Sequence, residues 1–350
     1  MSPSISDRIE ILRRTANKWA DPAYAVRVDV MRETLRQDNQ FTAEAIHFAI
    51  NQRMASIEAY VEGQEWLEDG SGSSDGTVAV LNSGNIPFVG LSDLVGVWLS
   101  GRNYFGVTSS KSASLLPAFA YDLSIKSGVD TIGFGTLEEA LATASLVVAT
   151  GSDKTMAFVR KLVGEKPFLV RGSGYSIGVM TGSESVSEAD LLAEDILLHE
   201  GLGCRNVSVL WVDDKQRVDQ LLTSMTAFRQ IFPAHERTRK RLKNDAALLA
   251  AADIPHLFAE DYSFLISRGE PAPQSPGHLR VSEYDSLSEV TDWIVAQGKQ
   301  LQVVATSSET ESLDRVSQTV RFGMTQRPHL FEHRGDENIV QFLRDHRGTG

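Results

Sequence analysis

The only cysteine in this 350-residue chain, Cys204, lies in the run His199-Glu200-Gly201-Leu202-Gly203-Cys204-Arg205-Asn206. A thiol so placed suits nucleophilic attack on a carbonyl. Glycines on either side of Leu202 let the backbone turn sharply and a substrate approach closely, and Arg205 beside the sulfur favours the thiolate. The plainer reading is a small buried hydrophobe, the common fate of a lone cysteine. His199 reads as a helix C-terminal residue meeting the dipole rather than as a proton relay.

A second chemical segment stands upstream, Asn82-Ser83-Gly84-Asn85-Ile86-Pro87, where a strand ends in a tight loop that opens a helix. A helix N-terminus offers backbone N–H groups and a partial positive charge, which suits a phosphate or a developing oxyanion. Taken alone, Asn85 reads as an ordinary N-cap. Two further strand-to-helix turns repeat the arrangement, Thr108-Ser109-Ser110-Lys111 and Thr150-Gly151-Ser152-Asp153-Lys154. Each is a weak signal by itself. On one sheet edge they would form a nucleotide site with Ser83, Thr108, Ser109, Ser110, Lys111, Gly151 and Ser152 as its candidate cofactor residues. The Gly-x-Gly-x-x-Gly fingerprint is missing from all of these turns, so a dinucleotide would be held in another manner.

Hydrophobic periodicity supplies the scaffold. From Ile5 to about Glu68, apolar residues such as Ile9, Leu12, Val28, Met31, Leu35, Ile46 and Ile50 recur at helical spacing and predict an all-helical leader. The run from Asp69 to Gly76 has the glycine-serine composition of a connector. Strands are then predicted over 78–81, 103–108, 146–149 and 167–170, with helices over 89–99, 115–127 and 154–163 between them. A second series follows, with strands over 176–180, 207–212, 264–267, 279–281 and 301–305 and helices over 188–199, 217–231, 236–251, 288–296 and 313–320. Short apolar strands alternating with helices predict an α/β fold whose parallel sheets are covered on both faces.

Composition narrows the function classes. With 34 basic against 46 acidic residues and a formal charge of −12, the chain has no general attraction for nucleic acid or anionic membrane. The basic run from His235 to Lys243 reads as a solvated helix face before it reads as a landing strip for phosphates. One cysteine makes no internal disulfide, and the opening stretch lacks the apolar core of a signal peptide, so a reducing cytoplasm is expected. No window reaches the roughly eighteen uninterrupted apolar residues of a membrane span. No metal ligand set is expected.

The strings NSGNIPFVGLSDLVGVWLSG, TSSKSASLLP, ATGSDKT, EDILLHEGLGCRNVSVLWV and FGMTQRPHLFEHRGDENIVQFL, in this order from about Val78 to Leu343, resemble the LuxC-like acyl-CoA reductase family of the aldehyde dehydrogenase superfamily. GLGCRNVS is the most specific piece, and the leader carries little of the likeness. The resemblance implies an aldehyde dehydrogenase-like fold: leader and Rossmann-type cofactor domain over 1–172, an α/β catalytic domain over 173–325 and a return segment over 326–350. It implies an enzyme in which Cys204 takes an acyl group from coenzyme A or an acyl carrier protein and a nicotinamide cofactor reduces it to the aldehyde. Asn85 matches the superfamily's oxyanion-stabilising asparagine, and Gly151 and Ser152 match its turn beside the cofactor. A homodimer is expected by the same analogy.

Two departures shape the expectation. Where hydrolytic aldehyde dehydrogenases carry a glutamate base, this chain reads Val170-Arg171-Gly172-Ser173, so an acyl-enzyme would outlive water and await reduction or thiol exchange. Glu200 is a weaker candidate base, more readily read as solvated. Where the superfamily places a lysine and a glutamate at the adenosine ribose, this chain places Val107 and Ser110 with Lys111 one position further on. Loss of the carboxylate removes a repulsion and favours NADPH, with NADH as the alternative. An acyltransferase or thioesterase using Cys204 without nucleotide, and a degenerate binding subunit, are the competing readings.

Overall fold

A capping box starts the leader. In the computed structural model, which describes residues 3–63, 76–128, 131–213, 218–307, 313, 316, 318–333 and 337–347, the Ser4 hydroxyl accepts from the Asp7 N–H while the Asp7 carboxylate accepts from the Ser4 N–H. The helix so begun, α1 (Ile5–Ala20), buries Leu12, Ala16 and Trp19 along one stripe and is followed by α2 (Ala25–Arg36) and α3 (Ala43–Gly63). Helical spacing alone therefore sufficed to read the leader as far as Gly63, and the rest of its predicted span lies outside the described residues. The predicted connector lies outside the described residues except for Gly76.

The chain forms two compact units, one of Met1–Asn39, Ile46–Ser173 and Pro328–Gly350, the other of Gln40–Ala45 and Gly174–Arg327. In the first, β1 (Thr77–Leu81), β2 (Asn103–Val107), β3 (Ile132–Phe134), β4 (Leu146–Thr150) and β5 (Phe168–Arg171) make an all-parallel sheet in the order β3-β2-β1-β4-β5. Helices α4 (Leu91–Ser100), α5 (Leu115–Ser127), α6 (Leu137–Thr143) and α7 (Asp153–Val163) connect the strands. Val78, Ala79 and Val80 are buried in succession, as a strand covered on both faces must be. The leader is fastened to this unit by Trp19 Nε1 and the Tyr24 hydroxyl, both donating to Asp122 Oδ2 on α5 at 2.8 Å. The segment β3-α6 was not predicted, because three half-buried residues around Gly133 give no apolar run; the Thr136–Glu139 capping box was its legible sign.

The second unit holds β6 (Tyr175–Met180), α8 (Val186–Leu197), β7 (Val207–Val212), α9 (Val218–Ile231), α10 (Glu236–Ala251), β8 (His256–Phe258), β9 (Leu265–Arg268), β10 (His278–Glu283), α11 (Leu287–Gln297), β11 (Leu301–Thr306) and β12 (Thr319–Arg321). Its seven-stranded sheet runs β12-β11-β6-β7-β10-β9-β8, with only β8 antiparallel to its neighbour. Ile177, Val179, Val209, Trp211, Val290 and Val304 form its core. The helix predicted over 313–320 is corrected: Thr319 and Val320 pair with Val304 and Ala305 as strand β12, Leu313, Val316 and Gln318 are not helical, and the other three positions lie outside the described residues. Leu313, Val316 and Val320 mimic a helical stripe, and sheet pairing overrides it.

The last helix, α12 (Ile339–Asp345), belongs to the first unit, where Ile339 packs against Gly96 of α4 so closely that a Cβ at residue 96 would lie 3.0 Å from it. The same corner carries a buried ion pair. Arg171 Nη1 donates to both carboxylate oxygens of Asp93 at 2.9 and 2.7 Å, while its Nε and Nη2 donate to the Glu337 carbonyl at 3.1 and 3.0 Å. Removing one partner strands the other charge in the interior, so Asp93→Ala is expected to cost about 3–5 kcal/mol. Urea unfolding checks this, and an unchanged midpoint would show the pair to be dispensable.

Candidate functional site

The connection β1-α4-β2 proceeds to one side of β1, whereas β4 lies on its other side, so the chain reverses direction between β1 and β4. Crevices at such reversals, beyond the carboxyl ends of the strands, are where open parallel sheets bind ligands. The Asn82–Gly90 loop follows β1, Thr108–Lys111 follows β2 and Gly151–Ser152 follows β4, so all three predicted turns lie along one edge of one sheet.

The first two turns touch. A Cβ added to Gly84 would stand 2.4 Å from Ser109 Oγ, and only glycine permits that approach. Asn82 braces the loop, its N–H donating to the Val107 carbonyl at 2.9 Å and its Nδ2 to the Tyr104 hydroxyl at 3.2 Å. Ser83 Oγ donates to Asn85 Oδ1 at 2.8 Å, which orients the Asn85 amide with its acceptor end engaged. Asn85 does not cap α4, whose N-cap is Gly90 with φ of 86°. Ser109 caps the single turn Ser110–Ser112, and Ser152 caps α7 by accepting from the Thr155 N–H. Thr108 and Ser109 are half-buried; Ser110, Lys111 and Ser152 are exposed. Hydroxyls, one ammonium and the N-terminus of α7 are the donors that dinucleotide phosphates and ribose require, so the residues present fit a nicotinamide cofactor.

Cys204 lies in the second unit, whereas Asn85 lies in the first. Its thiol is exposed, not a buried hydrophobe. Helix α8 stops at Leu197, two residues short of the predicted end, because His199 and Glu200 adopt left-handed backbone with φ of 52° and 61° and Gly201 continues it at 69°. His199 is consequently no helix terminus. The turn beyond is fixed by Asn206, whose Nδ2 donates to the carbonyls of Asp195 at 3.0 Å and Leu198 at 2.8 Å and whose Oδ1 accepts from the Gly203 N–H at 2.9 Å. Ser176 Oγ donates to the Cys204 carbonyl at 2.9 Å, and Arg205 Nε to the Thr325 carbonyl.

Glu200 is not the solvated residue expected. It is buried, pairs with Arg229 at 3.2 Å and accepts from the His235 N–H at 3.2 Å. The basic run is likewise only partly a solvated face: Arg239 pairs with Asp261, and Arg241 donates to Gln40 Oε1 and the Pro276 carbonyl. Arg171 is taken up by Asp93 and the Glu337 carbonyl.

Sequence reasoning missed Asp195, Asn206, Ser176 and Thr325, which hold the cysteine turn. The overlooked sign was Asp195 itself, an acid in the helical stripe of Ala189, Leu192 and Ile196. Its carboxylate accepts from the N–H groups of Gly323 and Thr325 and from the Thr325 hydroxyl, tying α8 to the Phe322–Arg327 turn.

A comparison with protein-family models and one with curated proteins return no match. Among solved structures, an oxidoreductase from Marinobacter aquaeolei is similar with a TM-score of 0.74 at 10% identity, covering 98% of this chain and 85% of its own. An indole-3-acetaldehyde dehydrogenase of P. syringae in complex with NAD+ and IAA has a TM-score of 0.71 at 16% identity, and the aldehyde dehydrogenase KauB from Pseudomonas aeruginosa one of 0.71 at 15%; each match covers 91% of this chain and 76% of the neighbour. The chain thus has an aldehyde dehydrogenase-like fold, with a Rossmann-type sheet and a second α/β sheet. Among the described residues no helix is long and apolar enough to cross a membrane.

Burial pushes the Asp195 carboxyl up to about 7, against the opposing effect of the Thr325 and Gly323 hydrogen bonds. Since this lies above its unfolded value, its contribution to stability is complete below about pH 4 and is lost as pH rises to about 7. Across that window the thermal midpoint of the wild type is expected to fall relative to that of Asp195→Asn, and parallel curves would show that the carboxyl does not titrate there.

Proposed function

We propose that the protein is an NADPH-dependent reductase of acyl thioesters, forming an aldehyde through an acyl-enzyme at Cys204. The observation that carries this reading is the alignment of three hydroxyl- and glycine-bearing turns on the carboxyl edge of a doubly wound sheet, in a chain that also presents an exposed thiol on a braced turn. An acyltransferase or thioesterase has no use for such an edge. The NAD+ complex of the indole-3-acetaldehyde dehydrogenase supports a nicotinamide cofactor in this fold.

The Cys204 thiolate attacks the thioester carbonyl, the oxyanion is steadied by the amide of Asn85 and the Cys204 N–H, and the carrier leaves as a thiolate when the carbonyl reforms. NADPH, when bound, would supply a hydride to the acyl carbon, and breaking of the carbon–sulfur bond then releases the aldehyde and returns Cys204 as its thiolate. Ser83 engages the Asn85 Oδ1, so that Nδ2 is the end the amide offers as a donor. Ser109, Ser110 and Lys111 receive the ribose and its 2′-phosphate, and Thr108, Gly151 and Ser152 line the same edge. With an arginine at 171 and the neighbouring Asp93 carboxylate taken up in pairing with it, that position does not activate water, and the acyl-enzyme is kept for reduction. The acyl donor is coenzyme A or an acyl carrier protein, the assembly a homodimer, and the reducing cytoplasm the compartment that suits a free thiol.

The test is oxidation of NADPH by purified protein with acyl-CoA. Cys204→Ala is expected to abolish turnover, and Asn85→Ala to lower kcat by about 10²–10³-fold. Lys111→Ala is expected to raise KM for NADPH more than for NADH. Turnover retained in Cys204→Ala, or no NADPH binding by the wild type, would end the reading.

A further inference from the structure

Two successive non-glycine residues in left-handed backbone, His199 and Glu200, stand immediately before the cysteine turn. Such conformations are unfavourable for residues with a Cβ and persist only where surrounding contacts over-determine them. Here the contacts are ionic and buried. Glu200 Oε1 meets Arg229 Nη1 at 3.2 Å, with both side chains almost fully enclosed, and Glu200 Oε2 accepts from the His235 N–H at 3.2 Å. Arg229 is held in turn through its Nε to the Ser263 carbonyl at 3.1 Å and its Nη1 to the Phe232 carbonyl at 3.3 Å. The next residue, Gly201, passes so near Gly277 that a Cβ on it would lie 2.4 Å from that backbone nitrogen. The Leu202 N–H then closes the turn on the His199 carbonyl at 3.0 Å.

We propose that the buried Glu200–Arg229 pair is the positioning device for Cys204: it clamps residues 199–201 in their left-handed turn and so sets the direction in which the thiol leaves the braced segment. The pair touches no reacting atom in this scheme, and neither residue is a catalytic acid or base. Without the clamp, the turn relaxes toward right-handed backbone, α8 extends, and Cys204 is displaced relative to Asn206 and Ser176. The role in turnover rests on the proposed reaction, whereas the role in thiol reactivity does not.

The test compares full-length wild type, Glu200→Ala, Glu200→Gln, Arg229→Lys and, as a control that breaks the other buried ion pair, Asp93→Ala. All are measured well below their thermal midpoints. The readouts are the rate of Cys204 alkylation by iodoacetamide as a function of pH and the steady-state constants for NADPH and acyl-CoA. Glu200→Ala is expected to slow alkylation and to lower kcat by about 100-fold with KM for acyl-CoA unchanged, the scale of an ångström-sized misplacement. Glu200→Gln is expected to recover part of both, and Asp93→Ala to alkylate like the wild type. A wild-type alkylation profile in folded Glu200→Ala, or equal slowing in Asp93→Ala, overturns the proposal. Should Glu200→Ala not fold, Glu200→Gln and Arg229→Lys decide by the same rates: slower than wild type upholds it, equal to wild type overturns it. A wild type that alkylates normally yet oxidises no NADPH sinks the reductase reading and leaves this one to be judged on alkylation.

Discussion

A single buried carboxylate, Asp195, constrains much of the second unit. It sits on an otherwise apolar helical face, and three donors from a turn more than a hundred residues later converge on it. Desolvation makes such a group costly unless its oxygens are satisfied, so the position of that later turn is dictated with little latitude. The same helix and the residue that ends it offer the Asp195 and Leu198 carbonyls to Asn206, and Asn206 fixes the backbone on either side of Cys204. Polar burial, rather than apolar packing, therefore decides where the thiol goes.

The first unit solves its problem differently. The carboxyl edge of its sheet is shaped by backbone proximity, with Gly84 against Ser109 and with serines capping the turn Ser110–Ser112 and helix α7. The capping hydroxyls accept from backbone N–H groups, and the Ser152 hydroxyl also shares a hydrogen bond with that of Thr155. A hydroxyl both accepts and donates, so capping by Ser109 or Ser152 does not exclude a further contact on the same oxygen.

Most of the architecture was legible because it rests on periodicity. Leu115–Ser127, Val207–Val212 and Glu236–Ala251 were read at their observed bounds, and the strand-to-helix turns were placed on the right sheet edge. What escaped has identifiable causes. Strand β8 is a short edge strand with Leu257 and Phe258 half exposed, so it carries no alternation to read. The end of α8 was misplaced because a left-handed turn at His199 and Glu200 leaves no mark in residue type. Asp195, Arg229 and Asn206 were invisible as site-builders because their partners are distant in sequence, and charge counted along the chain registers them as surface. Cys204, Asn85 and the cofactor turns could be singled out by residue type and spacing; their roles came from resemblance.

Arg171 is anchored on one side to Asp93 and on the other to the main chain at Glu337. A glutamate in place of Arg171 would set two acids side by side in the interior and deprive that carbonyl of its two donors. Any acid at position 171 would therefore need coordinated change in helix α4 and near α12, which makes this arginine a fixture that the surrounding architecture enforces.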